Sequence, residues 1–327
     1  MTNPVDKPSG NDAGRIRLRA VADSAQAGCR FDQAAAVLFA DYSRARLQKW
    51  IRSGALTVDG RREKPTFRLH GGEVLRIDAE PEPDTRAEAE PIPLDIVHAD
   101  DDLIVVNKPA GLVVHPAAGH PAGTLQNALL HFDPELAAVP RAGIVHRLDK
   151  DTSGIMVVAR SLRAHTRLVA QLQSRSMSRI YEAVVRGEMR RRGTVDQPIG
   201  RHPRDRKRMA VVPGGRPAIT HYRVLTALGA FTHLQVSLET GRTHQIRVHM
   251  SHLGHPLVGD RQYGRKPGPV RGLDPRVVAA VREFPRQALH ARTLVLRHPA
   301  DDAECRFTTD LPEDFSGLLA RLRGGDD

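Results

Sequence analysis

Residues 146–154 read His-Arg-Leu-Asp-Lys-Asp-Thr-Ser-Gly and lie between two short apolar runs, residues 143–145 and 155–159. We expect both runs to form strands, which places the charged residues at the crossover between them. Ordinary turns are also rich in Asp, Thr, Ser and Gly, and this segment alone favours that interpretation. If the cluster is functional, a ligand uses its charges, and Asp149 is the candidate nucleophile.

A second polar cluster, residues 240–249, follows an alternating strand at residues 234–238 and shifts the balance towards function. Two other kinds of site are disfavoured. His249, His252 and His255 are spaced three apart and drift around a helix, and no carboxylate-histidine motif accompanies them, so we expect no metal. A hydrolase triad of His146, Asp149 and Ser153 would be crowded into eight residues and lacks a Gly-x-Ser-x-Gly elbow.

The composition points to an acidic polymer as the partner. The chain of 327 residues has 49 Lys and Arg against 38 Asp and Glu, a net charge of +11. Nucleic acid is the leading candidate, although charge alone does not establish it. Its two cysteines, Cys29 and Cys305, predict neither a disulfide framework nor a zinc site. No signal peptide or membrane span is recognisable, so we expect a soluble cytoplasmic protein.

Changes of composition divide the chain into four segments. Residues 1–14 are polar and predict a disordered tail, and residues 15–78 have the apolar pattern of a small domain. Residues 79–92 are rich in Pro and Glu and predict an acidic, mobile linker. Residues 93–327 follow as a large domain.

The small domain has the pattern of two helices and a hairpin. One helix is predicted near residues 32–39 and another over residues 44–52, with Ser43 as its N-cap and Gly54 as its stop. Asp59 and Gly60 are a strong signal of a hairpin turn. This order resembles the S4-type RNA-binding domain, in which a helix face and a hairpin present cations to a phosphate backbone. The cations expected to do so here are Arg44, Lys49, Arg52 and Arg61.

In the large domain, strands outnumber helices. Strands are predicted at residues 94–97, 103–106, 143–148, 155–159, 180–185 and 234–238. Helices are predicted at residues 125–131 after Thr124, 162–173 after Ser161, and 243–253. Because strands and helices do not alternate regularly, we expect an α+β domain on a largely antiparallel sheet.

Six segments of the large domain resemble, in order and spacing, the pseudouridine synthases of the large-subunit ribosomal RNA type. The resemblance extends to members of that family that carry an additional RNA-binding domain. The segments are residues 106–111, 146–154, 179–183, 198–201, 240–249 and 286–291. The resemblance implies the pseudouridine synthase fold, a bent, mostly antiparallel mixed sheet with flanking helices and an active-site cleft.

The resemblance also assigns the catalytic residues. Asp149 matches the essential carboxylate, Tyr181 the active-site tyrosine, and Arg242 the cation that should pair with Asp149. An aspartate with a pKa of ~3.9 is ionised at neutral pH, and keeping it so in a cleft requires such a cation. Asp149 could attack the ribose C1′ or the uracil ring, or assist formation of a glycal, and the sequence leaves these routes open. Tyr181 could stack on the uracil or remove the C5 proton.

Other residues are expected to bind the RNA. By resemblance, Arg147 inserts into the RNA when the uridine leaves its stack, and Ile246 lines the base pocket. His146 has a minor supporting role. The family often has Lys where Arg179 stands, a change that keeps the charge but alters the geometry of hydrogen bonding. Candidate phosphate contacts are Lys108, Lys150, Arg201, Arg204, Arg206, Lys207 and Arg208.

These observations predict an isomerase that converts specific uridines of large-subunit (23S) ribosomal RNA to pseudouridine. Asp149 would act on a flipped-out uridine without a cofactor or a metal. The expected partner is ribosomal RNA or the assembling large ribosomal subunit, and the expected state is a monomer. The alternative is a noncatalytic RNA-binding factor of ribosome assembly.

Overall fold

The structure, a computed structural model, describes residues 16–39, 42, 44–79, 87–116, 120–189, 191–205, 207–264 and 273–324. The chain divides into two units, residues 1–86 and 87–327. The predicted tail at residues 1–14 and the predicted cap Ser43 lie outside the described residues. Within the described part of the chain, every helix is too short or too polar to span a bilayer.

The first unit is a three-stranded antiparallel sheet packed on two helices. Strands β1 (Ile16–Val21), β2 (Leu56–Val58) and β3 (Val74–Ala79) are ordered β1-β3-β2, with helices α1 (Phe31–Leu38) and α2 (Arg44–Ser53). The apolar face predicted for α2 is confirmed, because Leu47, Trp50 and Ile51 are buried in the core. The turn predicted at Asp59 and Gly60 is confirmed too, with φ of 49° and 76° and mutual hydrogen bonds between Val58 and Arg61.

The second unit is built on a mixed sheet whose order, along the described residues, is β4-β5-β6-β13-β7-β12-β11-β8, with β14 added to β13. Its strands are β4 (Asp95–Ala99), β5 (Leu103–Lys108), β6 (Ser153–Ala159), β7 (Ser178–Arg186), β8 (Arg192–Asp196), β11 (Ile219–Leu228), β12 (Phe231–Leu238), β13 (Leu289–Arg297) and β14 (Glu304–Thr308). A separate antiparallel hairpin joins β9 (Ile199–Arg201) to β10 (Met209–Val211). The pairs in this sheet are antiparallel except β6 with β13, as the α+β prediction requires.

Helices flank this sheet, and their predicted caps are confirmed. They are α3 (Leu125–Phe132), α4 (Leu162–Ser174), α5 (Gln245–His252), α6 (Pro275–Glu283) and α7 (Glu313–Leu322). Thr124 caps α3 in a capping box with Asn127, and the Ser161 hydroxyl accepts a hydrogen bond from Ala164 N at 3.1 Å. These side chains satisfy amides that the first helical turn leaves unpaired.

The strand predicted over residues 143–148 is wrong. The segment Pro140–Gly143 is a tight 3-10 turn, and Ile144 makes only an isolated bridge to Val158 of β6. The strand does not form because Arg141, Ala142 and Gly143 have positive φ and turn the chain, and because Val157 N on this edge of β6 donates to the His146 side chain instead of to a backbone carbonyl. The segment after the turn therefore covers the remaining edge of β6 and then runs towards the candidate site.

Part of the segment predicted as a linker packs within the second unit. Ala87 is buried in the main core, Asn127 Nδ2 donates to Glu88 O at 2.7 Å, and Gly123 N donates to Glu90 Oε1 at 2.9 Å. Ala79 belongs to β3, and residues 80–86 lie outside the described residues.

Candidate active site

A cleft of about 590 Å³ opens where the 146–149 segment, β7 and the first turn of α5 meet. Six predicted site residues line it together: His146, Arg147, Asp149, Tyr181, Arg242 and Ile246. Lys150, the seventh, has an exposed side chain, and its carbonyl accepts from Lys108 Nζ and Gly111 N. Segments far apart in the sequence thus converge at one place.

Asp149 forms an ion pair with Arg247. Its Oδ2 accepts from Arg247 Nη1 at 3.0 Å, and its side chain is 17% exposed. The predicted pair with Arg242 is wrong, because Arg242 Nε donates to Pro217 O at 3.1 Å. Arg242 precedes the first turn of α5, whereas Arg247 lies within the helix.

Arg247 is shared between two carboxylates. Its Nε and Nη2 donate to the two oxygens of buried Asp260 at 2.7 and 3.0 Å, which leaves Nη1 for Asp149. Burial alone would lower the pKa of Arg247, but the hydrogen bonds and charge of Asp260, with those of Asp149, raise it above the usual value. Burial acts to raise the pKa of Asp260, and Arg247 outweighs it, so this pKa is lowered. Arg247 and Asp260 are therefore both charged near neutral pH.

His244 faces the other oxygen of Asp149. Its Nε2 lies 3.8 Å from Asp149 Oδ1, and its Nδ1 lies 2.7 Å from the hydroxyl oxygen of Tyr263. That oxygen also accepts from Met209 N at 2.9 Å, which fixes the hydroxyl group beside the ring. Burial lowers the pKa of His244 despite the charge of Asp149. The ring lies between the Tyr263 hydroxyl and the Asp149 carboxylate.

Tyr181 and Ile246 supply the apolar wall of the cleft. Both are buried, Tyr181 in the middle of β7 and Ile246 in the first turn of α5. Burial is the main cause that raises the pKa of Tyr181, partly opposed by Arg179. The phenol is therefore neutral at physiological pH.

His146 and Arg147 occupy different environments although they are adjacent. His146 Nε2 accepts from Val157 N at 3.1 Å, which fastens the segment to β6. Burial, with the charge of Arg179, lowers the pKa of His146 to about 3, so the ring is neutral. Arg147 is exposed at the cleft.

Two buried cations hold the loop that follows Asp149. Lys108, only 1% exposed, donates from Nζ to the carbonyls of Pro109, Leu112 and Lys150 at 2.7–3.0 Å. The prediction that Lys108 contacts a phosphate is wrong, because its ammonium group is buried against these carbonyls. Burial lowers the pKa of Lys108 to about 7. Arg286 pairs with Asp314 of α7 at 2.6 Å and donates to Asp151 O at 3.3 Å.

The remaining predicted RNA contacts are spread over both units. In the first unit, Lys49, Arg52 and Arg61 are exposed, and the Arg44 side chain lies outside what the structure describes. In the second, Arg201, Arg204 and Lys207 are exposed in or near the hairpin of β9 and β10, and Arg208 lies over the Tyr263 ring at 5.2 Å. Arg206 lies outside the described residues.

Two of the three histidines considered for a metal, His249 and His255, lie close to polar groups of the fold. His249 is fully buried, with Nδ1 2.8 Å from the Thr220 hydroxyl and Nε2 3.0 Å from Gln197 O. His255 Nδ1 lies 2.8 Å from Arg186 O. In the ranges that the structure describes, no three His, Cys, Asp or Glu residues form a group able to hold a metal ion.

The sequence analysis missed Arg247, Asp260, His244 and Tyr263 as members of the site. Arg247 and His244 belong to the 240–249 cluster, and a spacing of three residues would put them on one face of the helix predicted over residues 243–253. That spacing was the available signal. Nothing comparable marks Asp260 and Tyr263, which the fold brings to Arg247.

Known proteins share this fold and these segments. A model of the RNA pseudouridylate synthase family matches residues 102–252, and an S4 domain model matches residues 29–75. Proteins named Ribosomal large subunit pseudouridine synthase D are similar to this chain. That of Pseudomonas aeruginosa is 57% identical over 90% of this chain and 92% of its own length, and that of Yersinia pestis 53% over 95% and 96%.

A solved structure, Human RNA Pseudouridylate Synthase Domain Containing 4, superposes with a TM-score of 0.55 at 27% identity, covering 70% of this chain and 93% of its own. The fold and the cleft define an isomerase that acts on RNA. The chain belongs to the RNA pseudouridylate synthase family and carries an S4 domain. The predicted family, fold class and enzyme class are confirmed, and the comparisons give no support to the noncatalytic alternative.

Proposed function

We propose that this protein isomerises uridines of large-subunit ribosomal RNA and that Asp149 is the carboxylate essential to the reaction. The observation that carries the proposal is the Asp149–Arg247 ion pair at 3.0 Å in the cleft, beside Tyr181. The names of the relatives, ribosomal large subunit pseudouridine synthases, support the choice of RNA. The S4 domain supports binding of a structured RNA.

The reaction breaks the N1–C1′ bond of uridine, turns the base and forms a C5–C1′ bond. The uracil gains a proton at N1 and loses one at C5, so the isomerisation is balanced without any electron donor or acceptor. Attack at C1′, attack on the ring and assistance to a glycal all need an ionised carboxylate. Arg247 places its guanidinium 3.0 Å from Asp149 Oδ2, and this contact compensates the carboxylate for the solvation that it loses in the cleft.

Sharing Arg247 with Asp260 leaves Asp149 reactive. Asp260 takes two of the guanidinium hydrogen bonds and Asp149 takes one, through its Oδ2. Oδ1 of Asp149 lies 3.8 Å from His244 Nε2. A carboxylate held by a single strong donor keeps an oxygen available for the substrate, whereas a bidentate pair would engage both oxygens.

The base-flipped nucleotide would be held by groups on three elements. Tyr181 offers its ring for stacking on the uracil and is the nearest candidate for handling the C5 proton, and Ile246 closes the apolar side of the pocket. Arg147, exposed at the rim, would fill the gap that the extruded base leaves in the RNA.

The test is nucleotide-resolution mapping of pseudouridine after the protein is incubated with unmodified large-subunit ribosomal RNA. We expect specific uridines to be converted by the natural protein and none by the Asp149→Asn variant, with RNA affinity changed less than about threefold, because binding is spread over many phosphate contacts. Conversion by Asp149→Asn would refute the role of Asp149. RNA bound by the natural protein with every uridine unchanged would refute the activity.

A further inference from the structure

Arg179 is a buried cation in the cleft, and it has no anionic partner in the part of the chain that the structure describes. The residue is 8% exposed, lines the cleft, and its Nε has no hydrogen-bond partner among the described residues. Among the residues that the structure describes, no carboxylate forms an ion pair with it. The nearby acids are engaged elsewhere, since Asp149 pairs with Arg247 and Glu239 pairs with Arg175 at 2.8 Å.

A cation in this position is costly by itself. Removing a guanidinium from water requires compensating hydrogen bonds and negative charge, and buried charges in proteins are normally paired. The neighbours of Arg179 do not supply that charge. His146 is neutral, with a pKa lowered to about 3 by burial and then by Arg179, and burial keeps the Tyr181 phenol neutral.

The position of Arg179 relative to the base pocket is set by β7. Arg179 and Tyr181 are two residues apart on this strand, so their side chains leave the same face of the sheet about 6.6 Å from one another. The guanidinium lies against Gly241, where a Cβ atom would come 2.7 Å from Nη1. Because residue 241 is glycine, the Arg179 guanidinium fits beside the turn that precedes α5.

We propose that Arg179 receives one of the two phosphates that flank the target uridine while its base lies on Tyr181. This inference rests on the proposed function and adds a residue to it. A phosphate supplies the full negative charge that the guanidinium lacks, whereas a uracil carbonyl offers only a neutral acceptor. The planar fork of arginine suits two phosphate oxygens at once. The residue positions the nucleotide and takes no part in bond making.

The experiment is a cycle that combines an Arg179 variant with a neutral phosphate. The RNA is a synthetic fragment containing a uridine that the natural protein converts, with the linkage either 5′ or 3′ of it replaced by a methylphosphonate. Arg179→Gln should raise KM roughly 10- to 150-fold, the loss of one charge-assisted contact, with a smaller effect on kcat. One of the two methylphosphonates should raise the KM of the natural protein by a similar factor.

The Arg179→Gln variant assayed with the methylphosphonate RNA shows whether Arg179 binds the replaced phosphate. If Arg179 binds that phosphate, introducing the methylphosphonate should raise the KM of the Arg179→Gln variant by less than about threefold. Arg179→Lys should bring KM part of the way back to the natural value and should restore part of the sensitivity to the methylphosphonate. Lysine restores the positive charge but lacks the planar, two-pronged guanidinium. Full, additive losses at both linkages would overturn the proposal, and so would an effect confined to kcat or its pH profile, which would assign Arg179 to the base or to Tyr181.

Two controls separate this role from a structural one. Arg276→Gln removes the same charge from a side chain of α6 that is 80% exposed, and it should leave KM within about twofold. Because Arg179 is buried without a partner, Arg179→Gln should leave the melting temperature unchanged or raise it. A lowered melting temperature would mark a structural cation and refute the proposal. If the natural protein converts no uridine in any RNA, the proposed function fails instead.

Discussion

Replacing Arg247 by methionine tests the ion-pair network on which the site depends. The change removes the guanidinium that donates to Asp260 at 2.7 and 3.0 Å and to Asp149 at 3.0 Å, and leaves two carboxylates unpaired. Breaking a buried pair in this way costs about 3–5 kcal/mol of the free energy of unfolding. For a unit of this size that corresponds to a melting temperature lowered by about 6–20 °C.

The cost should depend on pH. In the natural protein Arg247 lowers the pKa of Asp260, so its stabilisation is present above the unfolded pKa of ~3.9 and is lost as pH falls through the lower folded value. Without Arg247, burial raises the folded pKa of Asp260 above ~3.9, so the variant loses stability as pH rises through that value. The difference in free energy of unfolding between the two proteins should therefore be larger at pH 8 than at pH 5.

Denaturant unfolding followed by circular dichroism at both pH values provides the measurement. Trp50 is the single tryptophan of the chain and lies in the first unit, so its fluorescence reports that unit and serves as an internal reference. The matched control is the double variant Arg247→Met with Asp260→Asn, in which the amide oxygen can still accept from Gln262 N and Tyr263 N. It should recover part of the stability. A cost below about 1 kcal/mol, or one equal at pH 5 and pH 8, would refute this account.

Three further changes probe the support of the site. Lys108→Met should flatten the pH dependence of the free energy of unfolding. The pKa of Lys108, about 7, lies below its value in the unfolded chain, so the natural protein gains stability as pH rises from 7 to ~10. An unchanged slope of this free energy against pH, measured by chemical denaturation, would contradict the prediction. Gly154→Ala should destabilise by more than about 4 kcal/mol, because Gly154 has φ of 116° and a Cβ there would overlap the Ala291 backbone; a melting temperature close to the natural one would contradict it. Tyr263→Phe removes the hydroxyl that orients His244 and should lower kcat about tenfold with RNA affinity unchanged, as measured by single-turnover conversion. An equal kcat would show that this hydroxyl does not contribute to turnover.

The sequence by itself determined several of the elements and part of the candidate site. Alternating apolar residues predicted the strands that carry Tyr181 and precede the 240–249 cluster, because side chains of a strand alternate between two faces irrespective of what packs on them. The caps at Thr124 and Ser161 were equally local, since a cap bonds an amide only three residues away. Asp149 and Tyr181 followed from resemblance of their segments, and their catalytic roles remain predictions.

The tertiary structure decided which charges meet. Asp149 and Arg247 are 98 positions apart, and their pairing depends on where α5 begins and which face it turns to the loop. His244, at φ of 57°, precedes the helix, so Arg247 faces Asp149 while Arg242 bonds to Pro217. The burial of Lys108 also depends on how distant elements pack together. Local pattern fixes the type of an element, but an ion pair depends on rotation and distance between elements, which only packing sets.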